Sequence, residues 1–328
     1  MKQQYNNPTS GQLDPKLETN IIYNADCLDA LRALPDESVH CCVTSPPYYG
    51  LRDYGVDGQI GRETTPEQYI ERLMIVFREL RRVLRSDGTF WLNISDTYCG
   101  TSNKGINTDP KYPNGRTGQG VSVARQVQGC KPKDLIGIPW LLAFALRNDG
   151  WYLRNDIIWE KGNPMPESVR DRCSRSYEHV FLLTKSKKYY FDKLAIAEPI
   201  AATTAARMKR GRSENHKYKN GSPGQMRQGL NRPITAGTYT DDMISPVRNK
   251  RDVWHINTVS YSGSHFAVFP LKLAETCILA GCPENGVVID PFLGSGTTAL
   301  VAKQNNRHYI GIELNAEYCD LARERIGG

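Results

Sequence analysis

Val287-Val288-Ile289-Asp290-Pro291-Phe292-Leu293-Gly294-Ser295-Gly296-Thr297-Thr298 reads as a buried strand, a tight turn and the start of a helix. Three β-branched apolar residues favour the strand. Gly294 and Gly296 let backbone approach a ligand closely, and a helix starting near Thr297 offers unpaired N–H groups. About twenty residues on, Glu313 closes the next predicted strand, where an acid can accept hydrogen bonds from ribose hydroxyls. This layout suits a nucleoside cofactor. A phosphate loop needs Lys after its last Gly, where this chain has Thr297, and the dinucleotide pattern needs a third Gly that 297–301 lacks. A plain strand-to-helix turn with a solvent-facing acid stays open.

Outward from this stretch, strands alternate with helices. A strand at 21–23 runs to Asp26, and Leu28, Leu31 and Leu34 mark a helix that Pro35 stops. The apolar run 39–43 leads directly into Thr44-Ser45-Pro46-Pro47-Tyr48, a loop at the end of a buried strand. Thr65-Pro66-Glu67-Gln68 is a helix start, with Ile70, Leu73, Phe77, Leu80 and Leu84 on one face and Asp87-Gly88 as its end. A strand at 89–94, a Gly/Asn/Thr/Lys-rich insertion at 100–133, a helix at 139–148 and strands at 154–160 and 180–183 follow. Helices at 270–280, 297–303 and 316–325 and a strand at 309–312 complete the pattern. The expectation is an α/β fold with a mostly parallel, doubly wound sheet covered on both faces. Its parts are a mobile arm 1–19, one half at 20–194, a distinct region 195–250 and a second half at 251–328.

Composition narrows the function. The 328 residues carry a net charge of +7, which favours an anionic partner. Much of it is local. Between 203 and 251, eleven basic residues, among them Arg207, Lys209, Arg210, Arg212, Lys217 and Lys219, face three acidic ones, a balance of +8. Such a stretch is a solvated loop or a phosphate-contacting segment. Nine scattered cysteines without a Cys-x-x-Cys pair argue for a reducing cytoplasm and against a disulfide framework or zinc site. The six histidines lack metal-ligand spacing, so no metal is expected. No apolar run spans a bilayer, and the polar N-terminus resembles no signal peptide.

Thr44 to Tyr48 suits a planar amine. Exocyclic amines of cytosine and adenine are poor nucleophiles because the nitrogen lone pair is delocalised into the ring. Accepting both amine hydrogens draws the nitrogen toward tetrahedral geometry. Ser45 offers a hydroxyl oxygen, and Pro46 a carbonyl held rigid by the Pro46-Pro47 pair. Tyr48 offers a face for an extruded base. A Pro-Pro turn with a packing tyrosine is the plainer alternative.

The two motifs together resemble the S-adenosylmethionine-dependent amino-methyltransferases of DNA. Thr44–Tyr48 is similar to their catalytic motif, 290–296 to their cofactor motif, and 265–270 to the segment near the methionine end of the cofactor. The order, catalytic before cofactor with a basic region between, resembles the circularly permuted β group. The resemblance covers 20–326 apart from 100–133 and 195–250. It implies a Rossmann-like methyltransferase fold with 195–250 inserted as target-recognition region. It also implies that Asp290, Phe292, Gly294, Ser295, Gly296 and Thr297 line the cofactor together with Phe269 and Pro270. Glu313 would hold the ribose, and Asp26 would lie near the adenine. Ser45, Pro46, Pro47 and Tyr48 would act on the base. Arg207, Lys209, Arg210, Arg212, Lys217 and Lys219 would contact double-stranded DNA. A homodimer and a cognate restriction endonuclease are further candidate partners.

Ser45 is the family's usual cytosine-N4 pattern, whereas adenine-N6 enzymes usually carry Asp or Asn there. The expectation is therefore a site-specific cytosine-N4 DNA methyltransferase, with adenine N6 as the alternative. RNA or protein-amide methylation and a non-catalytic DNA-binding module remain further alternatives. Methylation at cytosine carbon 5 is set aside, since it needs a Pro-Cys pair and this chain has only the reverse, Cys282-Pro283.

Overall fold

The computed structural model describes residues 18–51, 56–100, 127, 129–210, 245–258 and 269–327, with backbone alone for 207–210. The arm up to residue 17, most of the 100–133 insertion, Arg212, Lys217, Lys219 and 265–268 lie outside the described residues.

The sequence pattern predicts most elements closely. Strand β1 (Ile21–Asn24) precedes helix α1 (Cys27–Ala33), and strand β2 (Val39–Thr44) precedes helix α2 (Pro66–Val83). Strand β3 (Leu84–Ile94), helix α3 (Ile138–Asn148) and strands β4 (Tyr152–Glu160) and β5 (Tyr177–Thr184) follow. Later come β6 (Glu198–Pro199), α4 (Ala202–Arg210), β7 (Val247–Arg248), β8 (Val253–His255), α5 (Leu271–Gly281), β9 (Val287–Asp290), α6 (Thr297–Gln304), β10 (His308–Glu313) and α7 (Ala316–Gly327). The Thr65 side chain accepts from the Gln68 N–H at 3.3 Å, the cap its sequence position predicts.

One boundary differs. Asp87-Gly88 does not end α2. The helix stops at Val83, Leu84 turns extended, and β3 starts at once. Val39 pairs with Leu84 but Cys41 already pairs with Thr89, so 85–88 bulge out opposite His40. Gly88 is needed inside that bulge, because a Cβ there would meet Leu84 Cγ at 2.6 Å and the His40 carbonyl at 3.0 Å. Helix α4 is a second difference; its start at Ala202 lies in a run rich in alanine, the best helix former.

Eight strands form one sheet in the order β1-β10-β9-β2-β3-β5-β4-β8. Every pairing is parallel except the two made by β5, which runs against both neighbours. Alternate side chains serve opposite faces. Cys42, Phe90, Leu92, Phe181, Ile289 and Ile312 join a core with Leu31 of α1, Phe77 of α2 and Leu142 of α3. On the other face α5 lies so close that a Cβ on Gly281 would meet Thr89 Oγ1 at 2.3 Å and Trp91 Nε1 at 2.4 Å. Helices thus cover both faces, as a parallel sheet requires.

Lys193–Arg251 is a compact unit by itself, and the remainder of the chain is another. In the smaller unit β6 pairs antiparallel with β7, and Glu198 gathers Arg248, Lys250 and Arg251 within 3.3–3.5 Å. Among the described residues, no helix is long and apolar enough to cross a membrane.

Candidate active site

Strands β1, β2, β3, β4, β9 and β10 all end on one edge of the sheet, where open α/β sheets bind ligands. Because β5 is reversed, its first residues, Tyr177 and Glu178, reach that same edge. A cavity of about 750 Å³ opens there, within the usual size of small-molecule sites. Asp26, Ser45, Pro46, Pro47, Tyr48, Phe269, Phe292, Gly294, Ser295, Thr297 and Glu313 all line it. Both sequence motifs therefore border one space. Asp290, Gly296 and Pro270 do not line it.

Asp290 is instead 1% exposed beneath the loop. Its Oδ1 accepts from the Thr44 hydroxyl at 2.5 Å and the Phe292 N–H at 3.0 Å, and its Oδ2 from the Thr298 hydroxyl at 2.7 Å. Burial pushes this carboxyl up to about 6, against the opposing pull of those three donors. Gly296, at φ 85°, is the N-cap of α6, and a Cβ there would meet Ala322 Cβ of α7 at 2.9 Å. Its smallness serves helix packing. Pro270 is the buried N-cap residue of α5.

Glu313 faces the cavity with its carboxylate divided between two loops. Oε2 accepts from the Gly294 N–H and Oε1 from the Asn315 N–H, both at 2.8 Å. Burial raises this carboxyl above its ordinary value, while the backbone N–H groups oppose the rise. On the neighbouring strand end, where the Ala25 N–H donates to the Glu313 carbonyl at 3.1 Å, Asp26 caps α1, its Oδ1 accepting from Leu28 N–H at 2.8 Å and Asp29 N–H at 3.3 Å. Arg325 of α7 donates to Ser295 Oγ at 3.1 Å and Thr297 Oγ1 at 3.0 Å, fixing two hydroxyls of the glycine loop.

The other end is set by β2. Ser45 follows its last residue, Pro46 is buried, and the Tyr69 hydroxyl of α2 donates to the Pro47 carbonyl at 2.8 Å. Gly61, at φ 100°, closes over the loop. Its carbonyl accepts from Gly50 N–H at 2.8 Å, and a Cβ on it would sit 3.0 Å from the Tyr48 carbonyl. The Tyr48 hydroxyl lies 2.6 Å from Glu178 Oε2, 3.2 Å from Ser45 Oγ and 3.3 Å from Asn93 Oδ1. Asn93 Nδ2 donates to Glu178 Oε2 at 3.0 Å, and Lys161 Nζ pairs with Glu178 Oε1 at 2.5 Å.

Asn93, Lys161, Glu178 and Arg325 are not singled out by the sequence pattern. A signal exists for Glu178, an acid near the start of a strand that turns apolar over 180–183, but placing it requires knowing that β5 is reversed.

The DNA methylase family N6_N4_Mtase matches residues 39–324 of this chain. The type II methyltransferase M.SmaI of Serratia marcescens is 45% identical over 320 residues, 96% of this chain and 94% of that protein. M.Cfr9I of Citrobacter freundii is 45% identical over 94% of this chain and 87% of that protein. Among solved structures, PvuII DNA methyltransferase (cytosine-N4-specific) superposes with a TM-score of 0.61 at 17% identity, covering 94% of this chain and 86% of that one. TTHA0409 of Thermus thermophilus, a putative DNA modification methylase solved with S-adenosyl-L-methionine, gives 0.56 at 21% identity over 93% and 92%. At such identities these two speak to the fold.

Proposed function

This chain belongs to the N6_N4_Mtase family of DNA methylases, and we propose that it methylates N4 of cytosine at a specific site in duplex DNA, with S-adenosylmethionine as methyl donor. The observation that carries this reading is that Ser45 and Pro46 share a cavity with Gly294 and Glu313. An amine-gripping motif and a nucleoside-binding loop thus open onto one another.

The residues present fit the cofactor. Each Glu313 oxygen spends one lone pair on a backbone N–H and keeps capacity for a ribose hydroxyl. Phe269 and Phe292 supply apolar walls, and Ser295 and Thr297 supply hydroxyls. The relative TTHA0409 supports the same choice through its bound ligand. When bound, the cofactor supplies a methyl group activated on a sulfonium.

On the base side, Ser45 Oγ and the Pro46 carbonyl accept the two amine hydrogens and free the nitrogen lone pair for in-line attack. Tyr48 supplies a face for the extruded cytosine. The chain's part is positioning and exclusion of water. Ser45 supports cytosine over adenine, and the cytosine-N4 specificity in the PvuII enzyme's name agrees. The motif order supports the permuted β group. The basic region 195–250 is the proposed target-recognition segment, and the type II relatives support a cognate endonuclease as partner.

The test is the product. Duplex DNA methylated by the protein, digested to nucleosides and separated by mass spectrometry, should contain N4-methylcytosine. N6-methyladenine instead would overturn the base while leaving amino-methylation intact. Neither product on any duplex would overturn the function.

A further inference from the structure

The Tyr48 hydroxyl has one proton and three oxygen neighbours. Glu178 Oε2, at 2.6 Å, is the nearest, and a carboxylate only accepts. Glu178 cannot turn this contact around, because donors hold both its oxygens. Lys161 Nζ is on Oε1 at 2.5 Å, and Asn93 Nδ2 is on Oε2 at 3.0 Å. Lys161 is itself held over the Trp159 ring, 4.9 Å from its centroid. The pair is largely enclosed, with side chains 23% and 11% exposed, so it is poorly screened.

The phenol proton therefore goes to Glu178. The Tyr48 oxygen is left with lone pairs, and its 3.2 Å contact with Ser45 must be donated by Ser45. Ser45 has a single proton. Once that proton points at Tyr48, the serine oxygen presents lone pairs to the cavity. An amine hydrogen needs an acceptor of that kind. Were the chain reversed, Ser45 would aim its own proton at the amine and oppose it donor to donor. Burial, then the Glu178 charge, push the Tyr48 phenol well above its ordinary pKa, so the middle link keeps its proton.

We propose that Glu178, anchored by Lys161, is a positioning residue that sets the direction of the Ser45–Tyr48 hydrogen-bond chain and so makes Ser45 an acceptor for the target amine. This rests on the proposed role of Ser45. Asn93 adds a second donor that keeps Glu178 Oε2 turned toward Tyr48.

The experiment measures single-turnover methyl transfer to duplex DNA, with cofactor and DNA affinities and melting temperatures, for five proteins. They are wild type, Ser45→Ala, Glu178→Gln, Tyr48→Phe and Lys161→Met/Glu178→Gln. A glutamine at 178 must set its NH2 against the Lys161 ammonium, a clash of donors, or toward the Tyr48 hydroxyl. That hydroxyl would then accept and turn its own proton to Ser45, reversing the chain. Glu178→Gln should lower the rate on the order of 100-fold, the scale of one misdirected hydrogen bond in a preorganised site. Both affinities should stay within about threefold, the mark of a lost transition-state interaction. Removing the ammonium in the double variant lets the amide point its NH2 away and its oxygen at Tyr48, so much of the lost rate should return. Tyr48→Phe, which keeps the charge pair and removes the link, should also lose rate without losing cofactor affinity. A full rate in Glu178→Gln beside a dead Ser45→Ala would overturn the chain and leave the Ser45 reading intact. A double variant no faster than Glu178→Gln would likewise overturn it. An active Ser45→Ala would overturn the Ser45 reading and the chain with it.

Discussion

The Thr44 hydroxyl donates to Asp290 Oδ1 across 246 positions of sequence. Thr44 is the last residue of β2, immediately before Ser45, and Asp290 is the last of β9, immediately before the glycine loop. One buried carboxylate thus ties the two motif loops to each other, and the Thr298 hydroxyl of α6 to both.

Asp290→Ala should therefore damage both ends of the cavity without touching a ligand. It strands the Thr44 hydroxyl and the Phe292 N–H and leaves the Thr298 hydroxyl the Val43 carbonyl at 3.2 Å, and an unpaired buried polar group costs about 1–3 kcal/mol. Urea unfolding should show a loss of that order, with weakened cofactor affinity by calorimetry. Unchanged affinity and stability would sever the proposed link.

The same carboxylate predicts a pH dependence. Its pKa rises from 3.8 unfolded to about 6 folded, through burial. Below about 4 both states are protonated and its contribution is complete. Between there and 6 the folded state keeps a proton that the unfolded state has lost, so stability falls as pH rises. The loss is complete above 6 and amounts to about 3 kcal/mol by linkage. Glu313 is pushed in the same direction, so the comparison must be internal. Between pH 4 and pH 7, wild type should lose more stability than Asp290→Asn; parallel profiles would refute the assignment.

Glu313→Gln tests the cofactor side. The amide must turn its NH2 toward the Gly294 or the Asn315 N–H, both donors now 2.8 Å from the carboxylate. Hydrogen bonds to a charged group contribute about 1.5–3 kcal/mol, so S-adenosylmethionine affinity should fall roughly 10- to 100-fold. Calorimetry with the intact protein reads this directly, and an unchanged Kd would remove Glu313 from the site.

Gly61→Ala tests the roof of the catalytic loop. Its φ of 100° is one that L side chains rarely adopt, and a methyl carbon 3.0 Å from the Tyr48 carbonyl would press that loop to shift. We expect a loss of more than about 1 kcal/mol in stability. Turnover should drop further than cofactor affinity, since Gly61 sits on the Tyr48 side. A variant with normal kcat would show that the loop tolerates the shift.

The basic region makes a prediction from charge alone. Neutralising Arg207, Lys209, Arg210 and Arg212 together should weaken DNA binding and flatten its salt dependence by roughly 0.9 in log–log slope per lost phosphate contact. Binding isotherms at several salt concentrations decide it. An unaltered slope would leave the segment a solvated loop and move recognition elsewhere.

Local pattern alone is enough to locate most of this molecule's elements. Thr65 caps α2 and Pro35 follows α1 because caps and breakers act on neighbours within one turn of helix. The runs 39–43 and 287–289 read as buried strands because they are apolar throughout, and a ligand edge follows wherever parallel strands end. Ser45 and Glu313 were legible for that reason. Tertiary structure decided what depends on partners distant in sequence. The reversal of β5 brings Glu178 to Tyr48 across 130 positions. Packing against Ala322 explains Gly296, and burial turned Asp290 from a wall of the cavity into the tie beneath it. No local period encodes these, because strand order and register are settled by which long-range pairing buries the most apolar surface while leaving no polar group unpaired.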